Sequence, residues 1–162
     1  MFSDELLAKA EALLAAARAQ NLTIATAESC TGGLIAGLLT EIPGSSDVVE
    51  RGFVTYSNEA KMDLLGVPQD VLIDYGAVSA ATARAMAAGA LVNSRADLVV
   101  SVTGIAGPGG GTAEKPIGLV HLAAARDSRM IHRECRFGDI GRDQVRLKSV
   151  EVALKLLRSL LD

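Results

Sequence analysis

Residues Pro43 to Lys61, PGSSDVVERGFVTYSNEAK, carry two adjacent serines, Ser45 and Ser46, followed by Tyr56 and Lys61. A serine hydroxyl becomes a useful nucleophile only when a neighbouring base takes its proton, and the common activators are histidine and a desolvated, neutral lysine. Lys61 is the better candidate here, because His121 and His132 fall in a late hairpin away from the polar loops. A free lysine titrates near ~10.4, so acting as a base near neutrality requires burial or a nearby positive charge. Tyr56 can hydrogen-bond a serine hydroxyl and Lys61 together and relay a proton between them. The spacing has no general meaning by itself. A strand-end tyrosine and a solvated helix lysine are the plain alternative.

Ser29 competes for the nucleophile role, since it lies in the tight loop Ala27-Glu28-Ser29-Cys30-Thr31-Gly32-Gly33. That loop lacks the first glycine of a G-x-S-x-G elbow, so binding an anion or amide through its N–H groups is the more economical reading. Cys30 as nucleophile would need a lowered pKa and a histidine in reach, and a buried structural thiol is expected instead. The run Gly107 to Gly111 invites a nucleotide reading but has neither the Walker ending nor a dinucleotide-binding register, because Lys115 precedes Pro116. A phosphate-contacting loop remains open there, with Lys115 or Arg142 as a source of charge. No His/Cys/Asp cluster has metal-ligand spacing, so no metal is expected.

The elements that must position these groups are legible from periodicity. Ser3 can cap a first helix running to about Gln20, with Asp4 and Glu5 in its first turn and Leu6, Leu7, Ala10, Leu13, Leu14 and Ala17 on one face. Leu22 to Thr26 reads as a strand, Leu34 to Leu39 as part of a second helix ending before Pro43, and Val48 to Tyr56 as a strand. Ser57 or Asn58 caps a helix over Glu59 to Leu65 that Gly66 closes, which puts Lys61 in its first turn. A short helical piece follows at Leu72 to Gly76, then an alanine-rich helix from Ser79 to about Arg95. Leu98 to Val102 has the apolar run of a strand buried on both faces. Gly118 to Ala125 and Met130 to Phe137 read as a hairpin turning at Arg126 to Arg129, and Val145, Ser149, Val152, Leu156 and Leu160 give the last helix an apolar stripe. The fold expected is a single-domain α/β three-layer sandwich over residues 1–162, a mixed sheet with helices on both faces. Ser29, Tyr56 and Thr103 all follow strands, so three distant loops can share one cleft.

Composition narrows the function class. A length of 162 residues suits one domain with its own core. A net charge of -3 gives no basic footprint, which argues against nucleic acid as a partner. Two cysteines, Cys30 and Cys135, are too few for a disulfide framework and fit a reducing compartment. No apolar run spans a bilayer and the N-terminus is acidic and helical, so a soluble cytoplasmic protein without a membrane partner is expected. Alanine-rich helices and a mean hydropathy of +0.31 point to self-association as a homo-oligomer.

Six segments in order, TAESCTGG (Thr26 to Gly33), PGSS (Pro43 to Ser46), GFVTYSNEAK (Gly52 to Lys61), GAVS (Gly76 to Ser79), VTGIAGPGGG (Val102 to Gly111) and KPIG (Lys115 to Gly118), together resemble the CinA C-terminal domain family. The resemblance covers nearly the whole chain and implies hydrolytic deamidation of nicotinamide mononucleotide to nicotinate mononucleotide and ammonia, without cofactor or metal. By motif it implies Ser46 as nucleophile, with Tyr56 and Lys61 as its activating partners. It implies a nucleotide site lined by Ser29, Thr31, Gly32 and Gly33, with Thr103, Gly104 and Gly107 nearby and Arg142 as a phosphate partner. The separate nucleotide-pyrophosphate hydrolase domain often carried by the family is absent from these residues, so that activity is not expected. Two other readings stand beside this one, a catalytically silent nucleotide-binding or regulatory module and an amidase for another small amide.

Overall fold

The computed structural model describes residues 1–162, which form an α/β domain of five strands and six helices. Helix α1 (Asp4–Ala19) begins where Ser3 Oγ accepts from the Leu6 N–H, and it buries Ala10, Leu13, Leu14 and Ala17. Strand β1 (Ile24–Glu28) is buried throughout and leads through a turn into α2 (Leu34–Glu41). A short 3-10 turn (Ser45–Asp47) precedes β2 (Val49–Val54). The helices α3 (Asn58–Leu65), α4 (Gln69–Tyr75) and α5 (Ala80–Val92) follow, with Ser57 and Ser79 as side-chain caps of α3 and α5. The chain continues through β3 (Leu98–Gly104), β4 (Leu119–Arg126), β5 (Arg129–Arg136) and α6 (Arg142–Ser159).

The sheet has the order β2-β1-β3-β4-β5. β1 is parallel to both β2 and β3, while β4 is antiparallel to β3 and to β5. Helices α1, α2 and α6 cover one face around Leu13, Ile35, Val100 and Leu157, and α3, α4 and α5 cover the other around Leu65, Met86, Val99 and Ala123. The three-layer expectation from periodicity is met. Because the central strand is hidden under helices on both sides, it reads as a continuous apolar run with no alternation.

The boundaries differ from expectation in instructive places. β1 begins at Ile24, not Leu22, because the Thr23 N–H and hydroxyl bond the Asp97 carboxylate and hold the chain outside the ladder. α5 ends at Val92, where the Asn93 side chain donates to the Gly89 carbonyl.

The parallel trio is what builds a site. Register pairs Glu28 with Val54 on one side and with Val102 on the other, so the C-terminal ends of β1, β2 and β3 open at the same edge of the sheet. α3 must also sit at the correct height, and Gly89 of α5 sets it: a Cβ there would lie 1.8 Å from the Leu65 carbonyl oxygen, which is backbone and cannot swing aside. Gly89→Ala is therefore expected to cost at least ~1–3 kcal/mol of unfolding free energy in denaturant titration. The position of Lys61 should shift with it, because α3 carries that residue.

Candidate active site

Ser29 leaves the end of β1 with its N–H donating to the Val102 carbonyl at 3.0 Å and its own carbonyl accepting from Gly32 N, also at 3.0 Å. Gly32 and Gly33 take positive φ values of 57° and 100°, which closes the turn and aims the chain into α2. Lys61, in the first turn of α3, is 1% exposed although it is a lysine. Its Nζ lies 3.1 Å from Ser29 Oγ and also donates to the carbonyls of Thr55 at 2.9 Å and Tyr56 at 3.3 Å.

No carboxylate pairs with this amine. Burial disfavours its charged form and lowers its pKa below the usual lysine value. The backbone carbonyls of Thr55 and Tyr56 accept from the amine and hold it in place. A partly desolvated amine within hydrogen-bond reach of one serine hydroxyl is the arrangement that general-base activation requires.

The surrounding cavity, about 220 Å³, brings together Ser29, Tyr56, Lys61, Thr103, Gly104 and Arg142, with Ala77, Val78 and Ala106 as an apolar wall. Thr103 is held in place by donating to the Ala77 carbonyl at 2.7 Å. Gly104 admits the neighbouring strand, since a Cβ would come within 2.7 Å of the Val120 side chain. Arg142, at the start of α6, donates to the Gly107 carbonyl at 2.9 Å and to the Tyr56 hydroxyl at 3.0 Å. A larger concavity, about 700 Å³, lies between α1 and α6 around Leu13, Leu154 and Arg158 and contains none of the loop residues.

Ser46 is not at this site. It occupies the exposed 3-10 turn that enters β2, whereas Lys61 follows the exit from β2. Six residues of strand separate those ends by about 20 Å at ~3.3 Å per residue, so Lys61 cannot activate Ser46. The serine that meets Lys61 is Ser29. Tyr56 reaches the site differently from the relay expected of it, with its backbone carbonyl on Lys61 and its exposed ring turned so that the hydroxyl meets Arg142.

Thr31, Gly32 and Gly33, expected to line the nucleotide site, are not among the residues lining this cavity, and Gly107, expected nearby, touches it through Arg142. Thr31 is fully buried, its hydroxyl donating to Glu28, and Gly32 and Gly33 shape the turn. Gly107 contributes its carbonyl to Arg142. The amides of Ile35 and Ala36 at the start of α2 donate to the Glu28 carboxylate, so that helix end is already filled. Cys30 is buried, and its thiol is pushed up to about 12 by desolvation, which keeps it protonated and inert. His121 and His132 bond each other at 3.0 Å across the hairpin.

Two residues were not anticipated. Arg146 of α6 donates to the carbonyls of Cys30 and Thr31, both at 3.1 Å, and so ties the serine loop to the last helix. Glu28 braces the same loop from β1. Arg146 sits four residues after Arg142, the spacing that puts both on one helix face, and that is the one sequence signal for it.

Relatives share this architecture. The crystal structure of the competence/damage inducible protein CihA from Agrobacterium tumefaciens superposes with a TM-score of 0.98 at 54% identity, covering 100% of this chain and 99% of that one. A CinA superfamily protein from Escherichia coli superposes with a TM-score of 0.92 at 33% identity, covering 99% and 94%. In sequence, the nicotinamide-nucleotide amidohydrolase PncC of Escherichia coli K12 is 48% identical over 159 residues, 97% of this chain and 95% of that protein. Other relatives are much longer: a CinA-like protein of Synechococcus sp. is 52% identical over 150 residues, and the matched part is 92% of this chain and 36% of that protein. The family model of the CinA C-terminal domain matches residues 7–161, and the chain belongs to that family.

Proposed function

We propose that the protein hydrolyses the carboxamide of nicotinamide mononucleotide to the carboxylate and ammonia, with Ser29 as nucleophile and Lys61 as its base. The observation that carries this reading is the 3.1 Å contact between Ser29 Oγ and the amine of the buried Lys61. The similarity to an Escherichia coli protein named for nicotinamide-nucleotide amidohydrolysis supports the substrate.

Neutral Lys61 takes the hydroxyl proton as Ser29 Oγ attacks the carboxamide carbon. The resulting oxyanion needs an N–H donor, and the nearest candidate is Cys30, which follows the nucleophile, lines the same cavity and donates to no backbone carbonyl. Lys61 then returns the proton to the leaving nitrogen. Ammonia departs, leaving an ester on Ser29, and water activated by the same amine hydrolyses it.

A cavity of about 220 Å³ is smaller than most whole-ligand sites and suits the ring with its carboxamide. The ribose and phosphate extend to its mouth, where Arg142 supplies charge and Tyr56 a hydroxyl. A cytoplasmic location and self-association belong to the same reading, on the two free thiols and on exposed Ile73, Tyr75 and Val92.

The test is ammonia release by the purified protein from nicotinamide mononucleotide and from free nicotinamide. Turnover of the mononucleotide is expected to exceed that of the free base. Arg142→Ala is expected to raise KM for the mononucleotide ~10-fold or more and to leave any free-nicotinamide rate nearly unchanged. Tight binding of the mononucleotide without ammonia release would favour a silent binding module, and a better rate with the free base would remove the phosphate role of Arg142.

A further inference from the structure

Glu28 ends β1, one residue before Ser29, and its side chain is fully buried. Its partners are hydroxyls and backbone amides with no cation among them. Oε1 accepts from Thr31 Oγ1 at 2.7 Å and from Ile35 N at 2.8 Å, while Oε2 accepts from Thr26 Oγ1 at 3.1 Å and from Ala36 N at 3.0 Å. A carboxyl group withdrawn from water in this way is tolerated only because donors replace its hydration, and two of those donors lie at the positive end of a helix. Helix α2 needs such a partner, since Gly33 at its start has no side chain to cap it.

The brace spans the whole turn that holds Ser29. From the strand side it reaches over Ser29 to Gly33 and fastens on α2. The backbone of the same residue reaches the base: the Glu28 carbonyl accepts from Thr55 N at 2.8 Å, and the Thr55 carbonyl accepts from Lys61 Nζ at 2.9 Å. Glu28 thus links the turn that carries the hydroxyl to the strand end that holds the amine. It also fills the α2 N-terminus from within, which leaves the substrate's anionic end to Arg142.

We propose that Glu28 is a positioning residue for the reaction, a buried carboxyl group that sets where Ser29 Oγ sits relative to Lys61. The proposal rests on Ser29 being the nucleophile. In Glu28→Gln the amide oxygen can serve one side of the brace, but the NH₂ group then faces a donating N–H or hydroxyl. In Glu28→Asp the chain is one methylene short of α2.

The experiment measures two things on the folded full chain: steady-state turnover of nicotinamide mononucleotide, and the rate at which a fluorophosphonate probe labels Ser29. Glu28→Gln is expected to lower both rates about 100-fold, as misplacement of a reacting group by ~1 Å does, with KM within about threefold of the parent. Glu28→Asp should not rescue. Thr31→Val, which removes one donor and keeps the carboxyl group, should lower both rates about tenfold.

Labelling and turnover within threefold of the parent in a folded Glu28→Gln protein would overturn the proposal, as would a rise in KM that accounts for the loss. Should Glu28→Gln fail to fold, Thr31→Val decides: an unchanged labelling rate overturns the proposal and a reduced one supports it. The two readings separate cleanly. A parent that labels at Ser29 but releases no ammonia refutes the substrate and leaves labelling to judge Glu28, whereas a parent that labels at another serine removes both.

Discussion

Ser29→Ala should abolish ammonia release from nicotinamide mononucleotide, by about 10³-fold or more, while Ser46→Ala keeps the rate within about twofold of the parent. The first magnitude follows from removing the atom that bonds to carbon; deletion of a nucleophile typically leaves only what binding and oxyanion stabilisation supply. The second follows from place. Ser46 is exposed, in a turn at the far end of β2 from Lys61, and surface changes of that kind seldom shift stability by more than ~0.5 kcal/mol. Mass spectrometry of a fluorophosphonate adduct gives the same answer independently, with the added mass expected on the peptide containing Ser29. Loss of activity in Ser46→Ala with full activity in Ser29→Ala would reverse the assignment.

The pH dependence of kcat/KM should show a limb that rises with pH through the ionisation of Lys61 and levels off above it, at a value below the ~10.4 of free lysine. Burial is the leading cause of the lowered pKa, and only the neutral amine can take the Ser29 proton. Lys61→Met should remove that limb together with about 10³-fold of the rate. Lys61→Arg should not restore it, because a guanidinium is not deprotonated in proteins.

Folding stability carries the same signature with a definite sign. A lysine whose folded pKa lies below its unfolded one binds more protons when unfolded across the interval between them, so unfolding free energy rises with pH there. Below the folded pKa the cost of the buried charge is fully present. Denaturant titrations from pH 7 to 10 should therefore show that rise in the parent and a flatter profile in Lys61→Met. A flat kcat/KM over the same range would remove Lys61 as the base.

The helices were legible because their signals are local. Ser3, Ser57 and Ser79 each occupy the cap where the chain needed one, and Gly66 closes α3 with a φ of 63°. The burial of β1 and β3 was legible for a similar reason, since a strand covered on both faces has no polar alternation to hide it. Arg142, singled out as a source of charge for the loops, lies against the Gly107 carbonyl and the Tyr56 hydroxyl. Glu28 and Arg146 were not seen, because bracing a turn from buried or distant positions leaves no pattern in neighbouring residues.

Taken alone, the sequence determined the layered α/β fold, the three polar loops after three strands, and Lys61 as the amine to watch. Which serine meets that amine was decided only by tertiary structure. Ser46 is 15 residues from Lys61 in the chain and Ser29 is 32, but β2 lies between the first pair and carries them to opposite edges of the sheet. The second pair sits on parallel neighbours whose ends open together, so β1 delivers Ser29 to the place where α3 delivers Lys61. Proximity along a chain is reversed by one intervening strand, and the register between parallel strands creates proximity that no sequence window contains. Burial of Lys61 is likewise a property of the assembled layers: the segment around it is polar, and only packing of α3 against the strand ends and α5 removes the amine from water.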